Sequence, residues 1–376
     1  MVRRVTILLA AAGIAATAAA AADVPRLPAA GRVFSDRATF LGATEQGLEQ
    51  TEQFWWNADL GWYNSRPGTT DAQPLPSLWY AFPLFEAKAA VALAHPTAAN
   101  KLAVEAFATK AENYWDPTIA SGAGAFSWYY GLRGTGNAYF DDNGWWGIAF
   151  VDAYRATGDK RWLKSAAHAL LFIDRFGWDR TSGGIWWDMA HRHKTAEPLA
   201  AGAMIAAELY GITRQVRYLK IAKKYIAWAD AKTRNPAQHG LYGRSDTDAT
   251  VMDYVQGMMI AAQSSLCGST GVKMYCTRSE EIAAASLEEF PILADWAPET
   301  DVIYLRGLMD LYRRDRNPRW YAVGYANARA ALANARDGQG LWSKRWDGGW
   351  TLPGAIYTQA ATLQLFAWVA DADPPG

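Results

Sequence analysis

The chain has little cysteine, little histidine and no excess of either charge. Lysine plus arginine and aspartate plus glutamate number 37 each, so the formal net charge is zero and nothing predicts an electrostatic interaction with nucleic acid. The two cysteines and five histidines show no zinc-binding pattern. We therefore expect no metal, no cofactor and no nucleic acid, and a neutral polymer fits better as the partner.

The few cysteines and histidines leave two questions open. Cys267 and Cys276 lie in one loop-like stretch, where they either close a small disulfide or remain as two free thiols. His191 and His193 flank Arg192 at a spacing that could suit a metal, but no third ligand accompanies them. We interpret these histidines as surface residues or as part of the rim of a substrate site.

Long apolar segments are absent after the amino terminus. There, an arginine pair at 3–4 precedes an apolar stretch at about 5–19, and three alanines at 20–22 resemble a signal-peptide cleavage site. The stretch is alanine-rich and shorter than the ~20 residues that a membrane span needs, so a membrane anchor is the weaker alternative. We predict a secretory signal peptide at 1–22 and a secreted, periplasmic or extracellular protein that is not inserted in the membrane. The arginine pair leaves Sec and twin-arginine export open.

A unit of helix, short polar turn and helix recurs at intervals of roughly fifty residues, a spacing typical of paired-helix repeats. Clear copies lie at 153–163, 209–219 and 311–321, and a copy near 266–275 is expected to have its turn replaced by the cysteine loop. A degenerate copy lies at 87–111. Two further helices are predicted near the termini, at 44–54 and 358–370. About twelve helices are expected, and such pairs either stack as an open solenoid or close into a ring. No linker divides 23–376, which we expect to form one domain and a monomer.

Two adjacent aspartates carry the clearest chemical signal. Asp141 and Asp142 follow a glycine-rich stretch and precede a strong helical pattern, so they fall at the start of a helix. One of them could be the N-cap residue, whose oxygen accepts a hydrogen bond from the first turn. A cap explains only one aspartate, however, and the second faces its neighbour's charge beside several aromatic residues. That arrangement separates the two pKa values.

Glycoside hydrolysis requires two carboxyl groups with separated pKa values, one ionised to attack the anomeric carbon and one protonated to donate to the leaving oxygen. The positive end of the helix dipole would favour the ionised partner. Retaining enzymes hold the two groups about 5–5.5 Å apart and inverting enzymes roughly 6.5–9.5 Å apart. Neighbouring residues favour the shorter distance, although adjacent helical side chains diverge around the axis.

At these residues the sequence resembles glycoside hydrolase family 76, the α-1,6-mannanases. The resemblance centres on Tyr-Phe-Asp-Asp-Asn-Gly-Trp-Trp at 139–146 and on Gly-Gly-Ile-Trp-Trp at 183–187. It implies an all-α fold, an (α/α)6 barrel of six inner and six outer helices whose loops form a sugar-binding cleft. It further implies endo-acting, retaining cleavage of α-1,6-linked mannan, with Asp141 as the nucleophile and Asp142 as the general acid/base.

The resemblance weakens toward the carboxyl terminus. This chain has Lys-Thr at 194–195, Asp-Tyr-Val-Gln-Gly at 253–257 and Leu-Arg-Gly at 305–307, where the family usually has Lys-Asn, Thr-Tyr-Asn-Gln-Gly and Phe-Lys-Gly. These differences concern contacts with the sugar and leave the catalytic pair unchanged. The natural glycan therefore stays open.

Aromatic residues near turns form the second functional signal, because a flat ring packs against the apolar face of a sugar while its N–H or O–H group bonds a hydroxyl. Large aromatics at helical spacing more often belong to the core, and this applies to the tryptophans at 342, 346 and 350 as well. Asp246, Asp248 and Asp253 either contact sugar hydroxyls or lie on a solvated loop. The predicted substrate-binding residues are Trp56, Asn57, Trp128, Tyr139, Asn143, Trp145, Trp187, Tyr254 and Gln256.

Three other functions stay open. A glycosyl-enzyme can be intercepted by a sugar hydroxyl instead of water, which would make the protein a transglycosylase on the same glycan. Helical-barrel sugar epimerases and unsaturated-uronyl hydrolases also use rings of paired helices, but they do not require adjacent aspartates. A non-catalytic carbohydrate-binding barrel would keep the aromatic cleft and use the acid pair as a helix cap.

Overall fold

The computed structural model describes residues 24–134, 138–291 and 297–375, and the predicted signal peptide at 1–22 lies outside them. Twelve long helices dominate the described chain, and short helical turns lie at Glu112–Tyr114, Ile119–Gly122, Ile173–Gly177 and Pro236–Gln238. The long helices are α1 (Ala30–Trp55), α2 (Leu78–Ala94), α3 (Ala98–Ala111), α4 (Phe140–Thr157), α5 (Lys160–Phe172), α6 (Ala196–Thr213), α7 (Val216–Lys232), α8 (Asp253–Thr270), α9 (Lys273–Glu289), α10 (Pro298–Asp315), α11 (Pro318–Asn334) and α12 (Ile356–Asp371). α12 agrees closely with the helix predicted at 358–370, whereas α1 begins well before the helix predicted at 44–54.

The even-numbered helices form an inner ring. Each packs against the next even-numbered helix along the chain, and α12 packs against α2, which closes the ring. In α6 every residue from Ala196 to Leu209 is buried, as expected for a helix that is surrounded by others. The ring excludes an open solenoid and confirms the predicted (α/α)6 barrel.

The odd-numbered helices surround this ring, and each packs against an inner neighbour. α7 illustrates the reason, because its buried residues recur every three or four positions and form one apolar stripe. The remaining positions of α7 are partly or fully exposed. The buried residues of α7 are Tyr218, Ile221, Ala222, Tyr225, Ile226 and Ala229.

The end of the barrel at which the inner helices finish is called the turn end, because very short turns there join inner helices to outer ones. Four of these turns begin with a residue in the left-handed region, at φ values of 79° (Gly158), 58° (Arg214), 70° (Gly271) and 58° (Arg316). The N–H group of each donates to the carbonyl four residues back and so ends the inner helix. This repeated cap explains the periodicity of the sequence.

The prediction that a cysteine loop replaces the turn near 266–275 is wrong. Gly271 and Val272 form the same short turn as in the other copies. Cys267 lies near the end of α8, Cys276 lies in the first turn of α9, and a disulfide joins them across the turn with their Cα atoms 4.9 Å apart. Both cysteines can occupy helices because the turn brings the helix ends close together.

The opposite end is called the loop end, because longer connections there lead into the inner helices. Three of them carry short antiparallel hairpins: β1 (Trp56–Asn57) with β2 (Trp62–Tyr63), β3 (Trp115–Asp116) with β4 (Ala125–Phe126), and β5 (Arg234–Asn235) with β6 (Leu241–Tyr242). The loop around 183–188 makes isolated bridges such as Trp186 with Lys194. Within the described ranges, none of the helices combines the length and the apolarity that a membrane crossing requires.

Candidate active site

A cleft of about 450 Å³ opens at the loop end, where the first turns of five inner helices converge. A concave site of this size, with mainly aromatic walls and a few polar groups, is the usual form of a small-molecule or sugar site. Its lining residues are Ser77, Trp79, Tyr80, Trp128, Tyr139, Asp141, Asp142, Trp145, Trp187, Glu197, Tyr254 and Thr300.

Asp141 and Asp142 lie in the first turn of α4, as the sequence predicts, and both face the cleft. The helix is preceded by Tyr139, which provides no side-chain cap, so neither aspartate is the N-cap residue and that alternative is wrong. Asp141 Oδ2 accepts a hydrogen bond of 2.9 Å from Trp187 Nε1, and its Oδ1 accepts one of 3.0 Å from the backbone N–H of Asp142. The Asp141 carboxylate is therefore oriented from two sides.

Burial changes the protonation of both aspartates. The pKa of Asp141 is raised to about 7, mainly by burial; the Trp187 hydrogen bond opposes this shift and the charge of Glu197 contributes to it. Burial also raises the pKa of Asp142 well above its usual range, and the charge of Asp141 adds to this effect. The pair therefore titrates in separate steps, and Asp142 retains its proton when Asp141 has lost its own.

Aromatic side chains form the walls of the cleft. Trp145 packs against Trp79 with ring centroids 5.0 Å apart, and Tyr139 packs against Trp187 at 4.9 Å. Trp146, the next residue along α4, instead faces the core, where its Nε1 donates to the carbonyl of Ala111 at 3.3 Å. The helical period explains why one tryptophan of this pair faces the cleft and the other does not.

Five of the predicted substrate-binding residues are brought together with the aspartates. They are Trp128, Tyr139, Trp145, Trp187 and Tyr254. They come from two inner helices, α4 and α8, and from the loops before α4 and α6, so the fold assembles them from distant parts of the chain. Their contacts with a sugar stay a prediction.

Asn143 and Gln256 lie beneath the cleft and are fully buried, which corrects their assignment as direct sugar contacts. The Asn143 amide accepts from the N–H of Phe126 at 3.0 Å and donates to its carbonyl at 3.0 Å. The Gln256 amide makes the same two bonds to Tyr242, at 3.0 and 2.9 Å. Each amide thus bonds the backbone of a hairpin as a neighbouring strand would. These bonds occupy its oxygen and its N–H group, so the side chain is not available to a substrate.

Trp56 and Asn57 are not among the residues that line the cleft, so their contact with a sugar stays a prediction. Both belong to β1. The Asn57 amide donates to Asn64 Oδ1 at 2.9 Å and accepts from the N–H of Leu60 at 3.1 Å, so it closes the β1–β2 hairpin. Trp56 packs edge-on against Tyr63, with centroids 5.1 Å apart. These contacts give the two residues a structural role in the loop.

Glu197 is the main cleft residue that the sequence analysis missed. It is the second residue of α6, as Asp141 is of α4 and Tyr254 of α8. Trp79 holds the same position in α2. A signal was therefore present, because an alignment of the starts of the inner helices places Glu197 at the same position as the predicted catalytic residue Asp141.

A second pair of acids lies beside the cleft. Asp253 and Asp301, in the first turns of α8 and α10, share a hydrogen bond and are almost fully buried. Burial raises the pKa of Asp253 to about 6 and that of Asp301 to about 10, with the charge of Asp253 adding to the latter shift. The pair therefore holds one proton at neutral pH and supports the cleft from behind Tyr254 and Thr300.

The other acidic and histidine candidates lie at the edge of the site. Asp246 is 3.8 Å from Lys194 Nζ, and Asp248 accepts from the N–H of Thr250, so both stabilise the loop before α8. His193 packs against Trp187 with ring centroids 5.0 Å apart. No group of three or more His, Cys, Asp or Glu side chains is arranged to hold a metal ion in the part of the chain that the structure describes.

Comparison with known proteins relates this geometry to a family. Residues 94–323, more than half of the chain, match the sequence profile of Glycosyl hydrolase family 76. Curated protein sequences give no match. Among solved structures, a family 76 mannosidase from Bacteroides thetaiotaomicron VPI-5482 superposes with a TM-score of 0.80 at 18% identity, covering 89% of this chain and 98% of its own.

Two further structures come from Salegentibacter sp. HEL1_6. The α-1,6-mannanase GH76A of that organism has a TM-score of 0.71 at 17% identity, covering 89% of this chain and all of its own. A variant of that mannanase, with two consecutive aspartates changed to alanine, is described as inactive and was solved with α-1,6-mannotetrose. This structure has a TM-score of 0.71 at 16% identity, covering 89% of this chain and 99% of its own. At these identities the structures establish the fold.

Proposed function

The chain belongs to glycosyl hydrolase family 76 and is a glycoside hydrolase, and from this premise we propose that it cleaves α-1,6-mannosidic linkages within a mannan-like polysaccharide, with retention of configuration and outside the cytoplasm. The observation that carries the proposal is the pair of adjacent aspartates with separated pKa values in an aromatic cleft. A mannanase of the same fold is described as inactive without two adjacent aspartates, which supports the assignment.

In the first step Asp141 is ionised and Asp142 is protonated. An oxygen of Asp141 attacks the anomeric carbon of the bound sugar while the Asp142 O–H group donates its proton to the glycosidic oxygen. The bond between the anomeric carbon and that oxygen breaks, and the leaving part of the glycan departs with a hydroxyl group. The remaining sugar is then held as an ester on Asp141.

In the second step Asp142, now a carboxylate, takes a proton from a water molecule. The water oxygen attacks the anomeric carbon, the ester bond to Asp141 breaks, and both aspartates return to their starting states. Two inversions give net retention. A sugar hydroxyl in place of the water would give transglycosylation through the same intermediate, which stays the alternative within this mechanism.

The hydrogen bonds around Asp141 fit the role of nucleophile. The Trp187 indole and the backbone N–H of Asp142 both donate to its carboxylate, and the amino-terminal turn of α4 adds the positive end of the helix dipole. Donors of this kind favour the ionised form of Asp141 over that of Asp142. The division of roles is therefore set before a substrate binds.

Export is the second part of the proposal. The predicted signal peptide at 1–22 and the pairing of Cys267 with Cys276 both suit an oxidising compartment outside the cytoplasm. A cleavage product that begins at Asp23 in the secreted or periplasmic fraction, identified by mass spectrometry, is the expected result. Retention of the intact chain in the membrane fraction would contradict it.

The test of activity uses the mature protein with linear α-1,6-mannan and follows the release of reducing ends. The parent should release oligosaccharides, and the D141A/D142A double variant should release none. Asp159→Asn is a matched control, because Asp159 caps α5 at the turn end and asparagine is an equally good cap. The control should keep the parent activity.

The products also separate the alternatives. Proton NMR of the first products should show the α-anomer, and an initial β-anomer would overturn the retaining mechanism. Binding of mannan without release of reducing ends by either the parent or the double variant would favour a carbohydrate-binding protein. Products longer than the substrate would identify transglycosylation.

A further inference from the structure

A third carboxylate, Glu197, lies in the cleft together with the catalytic pair. Its Oε1 accepts a hydrogen bond of 3.1 Å from the Tyr254 hydroxyl, and its Oε2 accepts one from Thr195 Oγ1. The residue is 8% exposed. Two donors from two elements therefore hold the Glu197 carboxylate in place at the floor of the cleft.

The charge of Glu197 is only weakly balanced. Arg244 Nη2 lies 4.0 Å from its Oε1, and the Arg244 side chain is 44% exposed, so solvent screens this pair. α4 packs against α6, and this packing brings the second residues of the two helices, Asp141 and Glu197, to the same cleft. A fixed negative charge therefore faces the nucleophile.

The proposed catalytic reaction gives this charge a role. When Asp141 attacks the sugar it loses its negative charge, and the transition state has the positive character of an oxocarbenium ion. A second negative charge nearby disfavours the ionised free nucleophile and favours the positively charged transition state. It also raises the pH at which Asp141 becomes ionised.

We infer that Glu197 is a positioning residue of the reaction, whose fixed charge activates Asp141 and confines turnover to the neutral and alkaline range; the inference rests on the proposed function. The direction agrees with the electrostatics of the site, because burial and then the charge of Glu197 raise the pKa of Asp141. Glu197 also orients the Tyr254 hydroxyl at the cleft surface.

Other groups around the two carboxylates could also influence the pH dependence. α4 and the segment before it contribute Asp142 and Tyr139, and α2 contributes Tyr80. The loop that carries Trp187 brings Arg192 and His193 near its ring. From the side of α8, Arg244 and Tyr254 face Glu197, and the charge of Asp253 acts on Tyr254. The test must therefore remove the charge of Glu197 without removing its hydrogen bonds.

Glu197→Gln does so, because the amide oxygen still accepts from Tyr254 and the amide N–H can donate to Thr195 Oγ1 in a reversed hydrogen bond, while the charge is lost. The acid limb of the kcat/KM profile on linear α-1,6-mannan should move to lower pH by roughly half a unit or more. The plateau of kcat/KM at higher pH should fall several-fold. Thr195→Val is the matched control, because it removes a hydrogen bond to Glu197 but keeps the charge, and its acid limb should coincide with that of the parent.

A second measurement does not depend on turnover. Carboxyl ¹³C NMR, with the Asp141 resonance identified by its loss in D141N, should give a lower titration midpoint for Asp141 in E197Q than in the parent. An unchanged midpoint, or an equal shift in T195V, would overturn the inference. If the parent releases no reducing ends from mannan, the proposed function fails, and the NMR midpoint still decides the coupling of Glu197 to Asp141. E197D, which keeps the charge, should retain a raised midpoint.

Discussion

Both ends of the barrel bury carboxylates, but only the loop end presents them to a cleft. In the barrel interior toward the turn end, Arg306 lies 2.6 Å from Glu86 and 2.6 Å from Asp152, and Arg155 lies 3.1 Å from Glu208. At the loop end, no lysine or arginine nitrogen of the described residues lies within 4.0 Å of Asp141 or Asp142. The same residue types therefore build a structural ion network at one end and the proposed reactive site at the other.

Protonation alone does not distinguish the two ends. Burial raises the pKa of Glu208 to about 7, against the opposing charges of Arg155 and Arg306, and this value equals that of Asp141. A raised pKa thus reflects burial at either end and does not by itself identify a catalytic residue. The difference lies in access to a cleft and in the lack of a cation partner in the part of the chain that the structure describes, and two sets of variants separate these two properties.

The largest expected effect is the loss of the general acid. Asp142→Asn should lower kcat on linear α-1,6-mannan about 10²–10⁴-fold, because the leaving oxygen is no longer protonated. The thermal midpoint should not fall, since the substitution removes a buried carboxyl that has no cation partner among the described residues. An aryl α-mannoside with a good leaving group needs little protonation, so its first step should recover, which a burst of aryl alcohol would show. A burst that is missing in D142N but present in D141N would show that Asp142 is the nucleophile and Asp141 the general acid/base.

The second prediction concerns the turn end. Arg306→Leu leaves Glu86 and Asp152 buried without their cation, so the free energy of unfolding should fall by about 3–5 kcal/mol. The kcat/KM of the folded fraction should stay close to that of the parent, because Arg306 lies away from the cleft lining. Chemical denaturation and active-site titration measure the two quantities.

Arg161→Leu is the control for this change. Arg161 pairs with Asp159 and Glu105 on the surface and is 65% exposed, so its removal should change the stability little. A loss of activity without loss of stability in R306L would show that the ion network serves catalysis, and it would break the contrast between the two ends.

The repeat of the sequence allowed much of the fold to be predicted, because a short turn with a left-handed first residue ends four inner helices in the same way. Closure into a ring could not be derived from the repeat, since α12 packs against α2 at the other end of the chain. The family resemblance supplied that step. The turn at Gly271 was missed because a cysteine stands at the position where the other copies have tyrosine.

The site was predictable where its residues are adjacent in the chain, as Asp141 and Asp142 are. Glu197 was missed because only the packing of α6 against α4 brings it to the cleft. Asn143 and Gln256 were misassigned because polar residues beside a catalytic motif suggest substrate contacts. Gln359, the fourth residue of α12, accepts from the N–H of Trp342 at 2.6 Å, so the same anchoring position recurs in a third inner helix.

The third prediction compares the ends by the pH dependence of stability. The pKa of Asp141 is about 7 in the folded protein, against about 3.9 in an unfolded chain. The folded state binds the Asp141 proton more tightly than the unfolded chain does. Protonation of Asp141 therefore contributes fully to the free energy of unfolding below about pH 4, and this contribution is lost as the pH rises through about 7. D141N should therefore gain stability over the parent between about pH 5 and about pH 8, as measured by urea denaturation.

Glu208→Gln provides the contrast for this prediction. Glu208 has a similarly raised pKa but faces Arg155 and Arg306, so its removal deprives two arginines of a partner. E208Q should be less stable than the parent at about pH 8, the opposite of D141N. Equal behaviour of the two variants would mean that burial alone determines the stability at both ends and that the arginines have no net effect.

The smallest expected effect concerns an exposed aromatic residue at the loop end. Trp350 is 86% exposed, whereas Trp342 and Trp346 in the same loop are buried at 1% and 2%. Trp346 Nε1 donates to Thr362 Oγ1 at 2.9 Å, which fixes the loop to α12. Arg345 is also in this loop, and its charge opposes the rise in the pKa of Glu299. Glu299 is the neighbour of the cleft residue Thr300. The loop thus presents an exposed indole at the loop end of the barrel.

We expect Trp350 to contact long glycans by stacking on a sugar ring beyond the cleft. Trp350→Ala should then raise the KM for linear mannan about 2- to 10-fold, leave kcat unchanged and have no effect on α-1,6-mannotriose. Val216→Ala is the matched control, because Val216 is an exposed apolar residue, 59% exposed, at the turn end. Equal effects of W350A on the polymer and the trisaccharide would place Trp350 within the reacting subsites. An equal effect of V216A would instead show that exposed apolar residues act alike at both ends, and that the loops alone do not define the glycan-binding surface.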